Sequence, residues 1–155
     1  MFSRVFIILY TFGLLQAKNL IAVDHSGKFL ASSYDDGNIL LWDIVKGKLI
    51  FSFSFDCDRI TDIDVHSDFN DTSIVSTVAS CSDGSIISIK NGERSYQKTY
   101  PPFGDVIAVS TMNFSLDGQY LYCFGNTDVG FITNAVSGNF ENYIPSTLEN
   151  DPIES

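Results

Sequence analysis

Positive charge is scarce in this sequence of 155 residues. Nine Lys and Arg stand against 19 Asp and Glu, which gives a formal net charge of −10. An acidic surface repels phosphate backbones, so the composition argues against direct binding of nucleic acid. A surplus of carboxylates suits basic protein partners, although its simplest interpretation is a soluble surface.

Catalytic motifs are also missing: the sequence has no Gly-x-Ser-x-Gly, no P-loop, no Gly-x-Gly-x-x-Gly and no paired His. Four acids lie near one another in the chain, but Asp35 and Asp36 precede Gly37 as turn residues do. Asp62 and Asp64 alternate with apolar residues and so share one strand face, without the Gly and distal Glu of an EF-hand loop. We therefore predict structural or surface roles for these acids, and a non-enzyme that uses no cofactor and no metal.

Cysteine and histidine are few. Cys57, Cys81 and Cys123 lie too far apart for a Cys-x-x-Cys pattern, and their odd number argues against a disulfide scaffold. We predict free thiols in a reducing compartment. His25 and His66 have no Glu or Cys at ligand spacing, so we interpret them as loop or strand-end residues rather than as metal ligands.

The apolar run from Val5 to Leu15 is shorter than a typical membrane span. It lies in residues 1–18, MFSRVFIILYTFGLLQAK, which have the form of a secretory signal peptide. The alternative, which we favour, is a buried strand of a preceding unit or an incorrect chain start. Asn70 and Asn113 stand in glycosylation sequons, although Asn113 falls within a predicted strand. We expect no membrane contact unless the leader is retained.

What the sequence has in quantity is strand-forming residues, including 13 Phe and 7 Tyr. Short apolar runs alternate with turn signals, such as the one that ends at Gly27. Within Leu49–Phe55, Phe and Ser alternate with the period of two that is typical of a strand with one buried face. The pattern predicts an all-β fold of antiparallel meanders.

The chain repeats itself. When IAVDHSGKFLASS is aligned with MNFSLDGQYLYCF, Gly27 coincides with Gly118 at a shift of 91 residues (118 − 27). A second shift of 47 residues (84 − 37) places Gly37 on Gly84. We therefore predict three repeat copies between a leader at 1–18 and a polar tail at 145–155. The copies lie at approximately 20–55, 60–100 and 110–144.

The first copy, LIAVDHSGKFLASSYDDGNILLWDIVKGKLI, resembles a WD repeat, the unit of a β-propeller blade. The turn acids, the glycines and the Trp-Asp pair fall in the family order. The matching structural residues are Gly27, Asp35, Asp36, Gly37, Trp42, Asp43 and Gly47. The resemblance implies that Trp42 packs between blades.

This resemblance implies an all-β fold class in the form of a partial WD-repeat β-propeller with about three four-stranded blades. Three blades cannot close a ring, because propellers have about four or more. We expect a fragment of a larger ring, which is the interpretation we favour, or a chain that completes a ring with another chain.

The order of further segments narrows the resemblance. A Phe-x-Phe strand with RITDIDVHSD, then PPFGDVIAV, then FSLDGQYLYCFGNTDVGFI resembles the family of retinoblastoma-binding protein five, a propeller subunit of COMPASS histone H3 lysine-4 methyltransferase complexes. This implies a nuclear, non-catalytic scaffold that binds a SET-domain methyltransferase and its partner subunits. The alternatives are a WD-repeat adaptor of another complex, or a small secreted β-protein if residues 1–17 are a signal peptide.

Overall fold

The computed structural model describes residues 19–34, 37–100, 108–125 and 130–144. The leader, the turn acids Asp35 and Asp36, and the polar tail lie outside the described residues. Twelve strands and no helix occur within the described ranges. The prediction of an all-β fold is therefore confirmed.

The strands form three antiparallel sheets of four strands, each a meander in chain order. The first sheet contains β1 (Leu20–Val23), β2 (Phe29–Ser33), β3 (Asn38–Asp43) and β4 (Lys48–Ser54). The second contains β5 (Ile60–Ser67), β6 (Val75–Cys81), β7 (Ser85–Lys90) and β8 (Glu93–Thr99). The third contains β9 (Val109–Phe114), β10 (Tyr120–Gly125), β11 (Gly130–Asn134) and β12 (Phe140–Ile144). The outer bounds of the sheets lie within one residue of the three repeat copies.

The shift of 91 residues between the first and third sheets extends to the geometry of one turn. Gly27 and Gly118 both have a φ of 70°, in the left-handed region that favours glycine. Each donates its N–H to the carbonyl three residues before it, at 2.9 Å in both turns. The acid and the hydroxyl that close the turn exchange positions between the copies, as the pairs Asp24–Ser26 and Ser115–Asp117. The same turn is therefore built twice.

The second sheet lies between the other two and is covered on both faces. In β7, Ile87 packs against the first sheet and its neighbour Ile86 packs against the third, and both are fully buried. This follows from the period of two, which sends successive side chains of a strand to opposite faces. At the inner edge of the stack, β5 contacts both β1 and β9.

We call the contact between the first and second sheets the first junction, and that between the second and third sheets the second junction. The first junction includes Phe29, Ile39, Leu41, Ile63, Val65, Ala79, Ile87 and Ile89. The second junction includes Val78, Ile86, Tyr96, Tyr100, Met112, Leu121, Cys123 and Phe131. The hydrophobic core is thus divided into two layers between three sheets.

The prediction of free thiols is wrong for two of the three cysteines. Cys57 and Cys81 form a disulfide, with their Cα atoms 5.9 Å apart, whereas Cys123 is free and buried. The pairing of β5 with β6 places Cys81 opposite Ile60, close to the connection that carries Cys57. Separation along the chain gives no information on this proximity, because it depends on the strand register. The disulfide ties the connection between the first two sheets to the second sheet.

Candidate functional site

The described residues that match the WD repeat lie in the turns and on β3 of the first sheet. The indole N–H of Trp42 donates to the hydroxyl of Ser32 at 3.3 Å, across the β2–β3 pair. Asp43 is buried, accepts the backbone N–H of Lys46 at 2.9 Å and pairs with the Lys46 ammonium at 3.5 Å. Gly47 has a φ of 62° in the same turn. Asp43 therefore closes the turn between β3 and β4.

Two further positions of the motif, Gly37 and Trp42, have separate structural surroundings. Gly37 has a φ of 76°, and a Cβ there would collide with the carbonyl oxygen of Phe55. This close approach of two backbones explains the glycine. Trp42 is half-buried on the face of the first sheet that is turned away from the second sheet. Among the described residues no further sheet covers that face, so Trp42 does not lie between two sheets there.

A buried acid joins the first two sheets. One carboxylate oxygen of Asp24 accepts the Phe29 N–H at 2.8 Å, and the other accepts the Ser67 hydroxyl at 2.6 Å. Burial alone raises the pKa of Asp24, but the hydrogen bonds from Ser26, Ser67 and Phe29 outweigh it and hold the pKa below its usual value. Asp24 is therefore an anion at neutral pH that closes its own turn and holds the end of β5.

Two acids of β5 join the second and third sheets. Asp62 accepts the backbone N–H of Met112 at 2.6 Å, and Asp64 accepts that of Phe114 at 2.8 Å. Burial raises the pKa of Asp64, which the hydrogen bonds from Phe114 and Val65 only partly oppose. Asp62 and Asp64 lie on one face of β5, as their alternation with apolar residues predicts. Both carboxylates therefore contact β9, the first strand of the third sheet. Their contacts are structural, in agreement with the role predicted for them.

The two histidines, which are far apart in the chain, lie together in the folded protein. The ring centroids of His25 and His66 are 5.3 Å apart, and Phe69 lies 4.0 Å from His25. Phe114 of the third sheet lies 5.5 Å from His66, and a Cβ at Gly118 would collide with the His66 ring. Burial, and then the neighbouring His25, lower the pKa of His66. This cluster joins turns of all three sheets on one rim of the stack.

Beside this cluster lies an open depression of about 430 Å³. It is lined by Phe69, Ser115, Leu116, Asp117, Tyr120 and Tyr122. Asp117 is held by the Ser115 hydroxyl and the Gln119 N–H, and these hydrogen bonds lower its pKa. The carboxylate that closes the turn therefore also gives the depression a negative charge.

The described residues contain no group of three or more His, Cys, Asp or Glu that could hold a metal ion. Within the same ranges, no helix is long and apolar enough to cross a membrane. Of the acids singled out in the sequence, Asp62 and Asp64 lie among the described residues, and both accept hydrogen bonds from backbone N–H groups. The hydrogen bonds of Asp24, Asp62 and Asp64 thus stabilise turns and the contacts between sheets.

Comparison with known proteins adds no assignment: the chain matches no protein-family model and no curated protein.

Sequence reasoning missed three features of these surfaces. The disulfide and the histidine cluster depend on strand register and on the stacking of sheets, which the linear pattern does not contain. The third feature, the row of exposed aromatic residues on β10, could have been found in the sequence. In Tyr120-Leu121-Tyr122-Cys123-Phe124 no residue is charged or strongly polar, which predicts a strand with two apolar faces. Leu121 and Cys123 are buried, whereas Tyr120, Tyr122 and Phe124 are exposed.

Proposed function

We propose that this protein is a non-catalytic WD-repeat scaffold, in which the three sheets are blades of a partial β-propeller. The observation that carries the proposal is the regular stacking of three four-stranded meanders with β1, β5 and β9 at one inner edge. Propellers arrange four-stranded sheets around a central channel in this order and bind partners through their rims. The proposal is supported by the repeated turns at Gly27 and Gly118, which meet at the cluster of His25 and His66 on one edge of the stack.

The particular complex we propose is a COMPASS-type histone H3 lysine-4 methyltransferase, with the SET-domain subunit and its associated subunits as partners. The support is the resemblance of the ordered segments to the family of retinoblastoma-binding protein five. The net charge of −10 is compatible with protein rather than nucleic-acid contacts. A nuclear location follows from the same resemblance.

Affinity purification of the tagged full chain from its source cell, followed by mass spectrometry, tests this proposal. We expect the SET-domain methyltransferase among the recovered proteins, and no methyl transfer by the purified chain alone. A double variant, Ile86→Ala with Ile87→Ala, is the control, because it removes buried packing at both junctions and should lose partners that require folded blades. Recovery of a different complex would favour a general WD-repeat adaptor.

One observation favours a second candidate, a small secreted β-protein. The Cys57–Cys81 disulfide is typical of an oxidising compartment rather than the nucleus. The sequon at Asn70 lies on an exposed segment between β5 and β6. N-terminal sequencing and glycosidase treatment of the native protein separate the candidates. A start at Lys18 with a glycan on Asn70 supports secretion, and an unprocessed, unglycosylated chain contradicts it.

A further inference from the structure

The open depression of about 430 Å³ beside the histidine cluster is formed by two sheets. The second sheet contributes Phe69, from the connection between β5 and β6. The third sheet contributes Leu116 and Asp117, from the turn between β9 and β10. Tyr120 and Tyr122 follow at the start of β10. The depression therefore exists only where these two sheets are stacked.

Three aromatic side chains line the depression and are open to solvent. Phe69 is 55% exposed, and Tyr120 and Tyr122 are 40% and 39% exposed. The two tyrosines are two residues apart on one strand, so they share the face of the third sheet opposite to the buried Leu121. Phe69 packs against the ring of His25, with the centroids 4.0 Å apart. Because the faces of aromatic rings carry partial negative charge, such a surface attracts cations.

A carboxylate in a fixed position lies beside these rings. The Oδ1 atom of Asp117 accepts the Ser115 hydroxyl at 2.6 Å and the Gln119 N–H at 3.0 Å. These hydrogen bonds, first of all that from Ser115, hold the pKa of Asp117 below its usual value, so the group is an anion at neutral pH. Both bonds go to Oδ1, so a donor from a ligand can approach Oδ2 without disrupting the turn.

The surroundings of the depression are acidic as well. The two connections that meet here, residues 68–74 and 115–119, contain three Asp and no Lys or Arg. Burial, and then the neighbouring His25, lower the pKa of His66, so its imidazole does not neutralise Asp117 at pH 7. An anionic ligand would be repelled, and a purely apolar one would desolvate the Asp117 carboxylate without pairing it. The ligand that fits is a cation.

We propose that this depression binds an arginine side chain of a partner protein. A guanidinium is planar, stacks on aromatic faces and donates hydrogen bonds to a carboxylate, so it uses both kinds of group that line the depression. It is also more weakly hydrated than an ammonium, and arginine is enriched at protein interfaces. The inference deepens the scaffold function proposed above and rests on it for one point, that the cation belongs to a protein.

An NMR titration of the isotope-labelled full chain with the capped peptide Gly-Ser-Arg-Ser-Gly tests the inference. We expect the backbone amide signals that shift to be those of residues 115–122 and of the segment around Phe69. The same peptide with citrulline in place of arginine keeps the shape of the side chain but has no charge. We expect it to bind about fivefold more weakly, since it loses the ion pair and the attraction of the cation to the rings.

Two variants separate the contributions of the carboxylate and the rings. Asp117→Asn removes the charge and keeps an oxygen for the turn, and Tyr120→Leu removes a ring and keeps an apolar side chain. Each should weaken binding of the arginine peptide about two- to fivefold. The matched controls are Asp58→Asn, at an exposed position between β4 and β5, and Tyr143→Leu, at an exposed position of β12. Both lie outside the depression and should leave binding unchanged.

Three results would overturn the inference. They are an absence of amide shifts, equal binding of the citrulline peptide, which would indicate a neutral ligand, and equal weakening by Asp58→Asn and Asp117→Asn. The last would indicate attraction to the acidic surface as a whole. The amide spectrum also reports the fold of each variant, and Tyr122→Leu replaces Tyr120→Leu if that variant does not fold. A lack of peptide binding together with recovery of the methyltransferase would overturn this inference alone. The opposite pair of results would overturn the proposed complex alone.

Discussion

The first junction and the second junction bury adjacent isoleucines of the same strand, but their polar contacts differ. At the first junction the buried acid Asp24 accepts a hydroxyl from Ser67, and the Cys57–Cys81 disulfide ties the connection to the second sheet. At the second junction two carboxylates, those of Asp62 and Asp64, accept backbone N–H groups of β9. The first junction therefore includes a covalent bond, whereas the second includes hydrogen bonds from the backbone of the inner strand β9.

Sheets of the same topology can therefore be stacked through different polar contacts. Burial of apolar side chains is common to both junctions and stabilises each in proportion to the apolar area removed from water. The polar contacts specify which strand meets which, since an unpaired N–H in a buried position is costly. Substitutions at one junction or the other can therefore separate the contribution of apolar burial from that of the polar contacts.

The largest effect is expected for Ile86→Ala and Ile87→Ala. Each removes a fully buried side chain and should reduce the free energy of unfolding by about 2–5 kcal/mol. The two variants are matched controls for each other, because the residues are adjacent and differ only in the junction they face. Urea unfolding measures the loss, and native-state hydrogen exchange locates it.

We expect Ile87→Ala to speed exchange mainly in the first sheet and Ile86→Ala mainly in the third. An identical exchange pattern for both variants would show that the two core layers act as one unit.

A smaller effect, still confined to the first junction, is expected when the disulfide is removed. Cys57→Ser should reduce the free energy of unfolding by about 2–4 kcal/mol, because a crosslink across 24 residues restricts the unfolded chain. A reductant should destabilise the unaltered protein by a similar amount and leave Cys57→Ser unchanged.

Cys123 provides an internal control for thiol labelling after mild reduction. Burial, and then the nearby Asp62, raise the pKa of Cys123 to about 12, so little reactive thiolate is present at neutral pH. We expect labelling at Cys57, which is half-buried, in preference to Cys123. Equal labelling of both in the folded protein would contradict the burial of Cys123.

At the second junction, Asp64→Ala leaves the N–H of Phe114 without its acceptor. We expect a loss of about 1–3 kcal/mol in the free energy of unfolding at pH 7, measured by urea denaturation. Asp64→Asn should lose less, because it retains a carbonyl oxygen that can accept the same bond. Asp58→Ala, at an exposed position between β4 and β5, is the control and should leave the free energy of unfolding unchanged. Equal stability of the Ala variant and the unaltered protein would show that the bond contributes nothing.

Much of the fold could be predicted from local patterns. The period of two in β4 and β5 and the glycines with positive φ determine strands and tight turns from neighbouring residues alone. The shift of 91 residues predicted equivalent turns, and Gly27 and Gly118 have the same φ and the same hydrogen bond. These features depend on contacts between residues that are close in the chain.

The contacts between sheets could not be predicted in the same way. His25 and His66 meet because the β1–β2 turn lies beside the end of β5. Cys57 meets Cys81 because of the register of β5 and β6. Asp62 and Asp64 could be assigned to one face, but the strand that this face meets depends on the stacking order. Long-range geometry of this kind has no signature in spacing along the chain.

The smallest expected effect is a difference between Asp24 and Asp64 in how each changes the free energy of unfolding as the pH falls. The pKa of Asp24 is lowered in the folded state, so its contribution to stability is present above the ordinary pKa of 3.8 and is lost as the pH falls through the lowered value. The pKa of Asp64 is raised, so the stability linked to its protonation is full below 3.8 and is lost as the pH rises through the raised value, whereas the hydrogen bond from Phe114 remains. Unfolding free energies measured from neutral pH down to about pH 3 should therefore fall less steeply for Asp24→Asn than for the unaltered protein. They should fall more steeply for Asp64→Asn, and changes of the same sign in both variants would contradict the opposite environments of the two carboxylates.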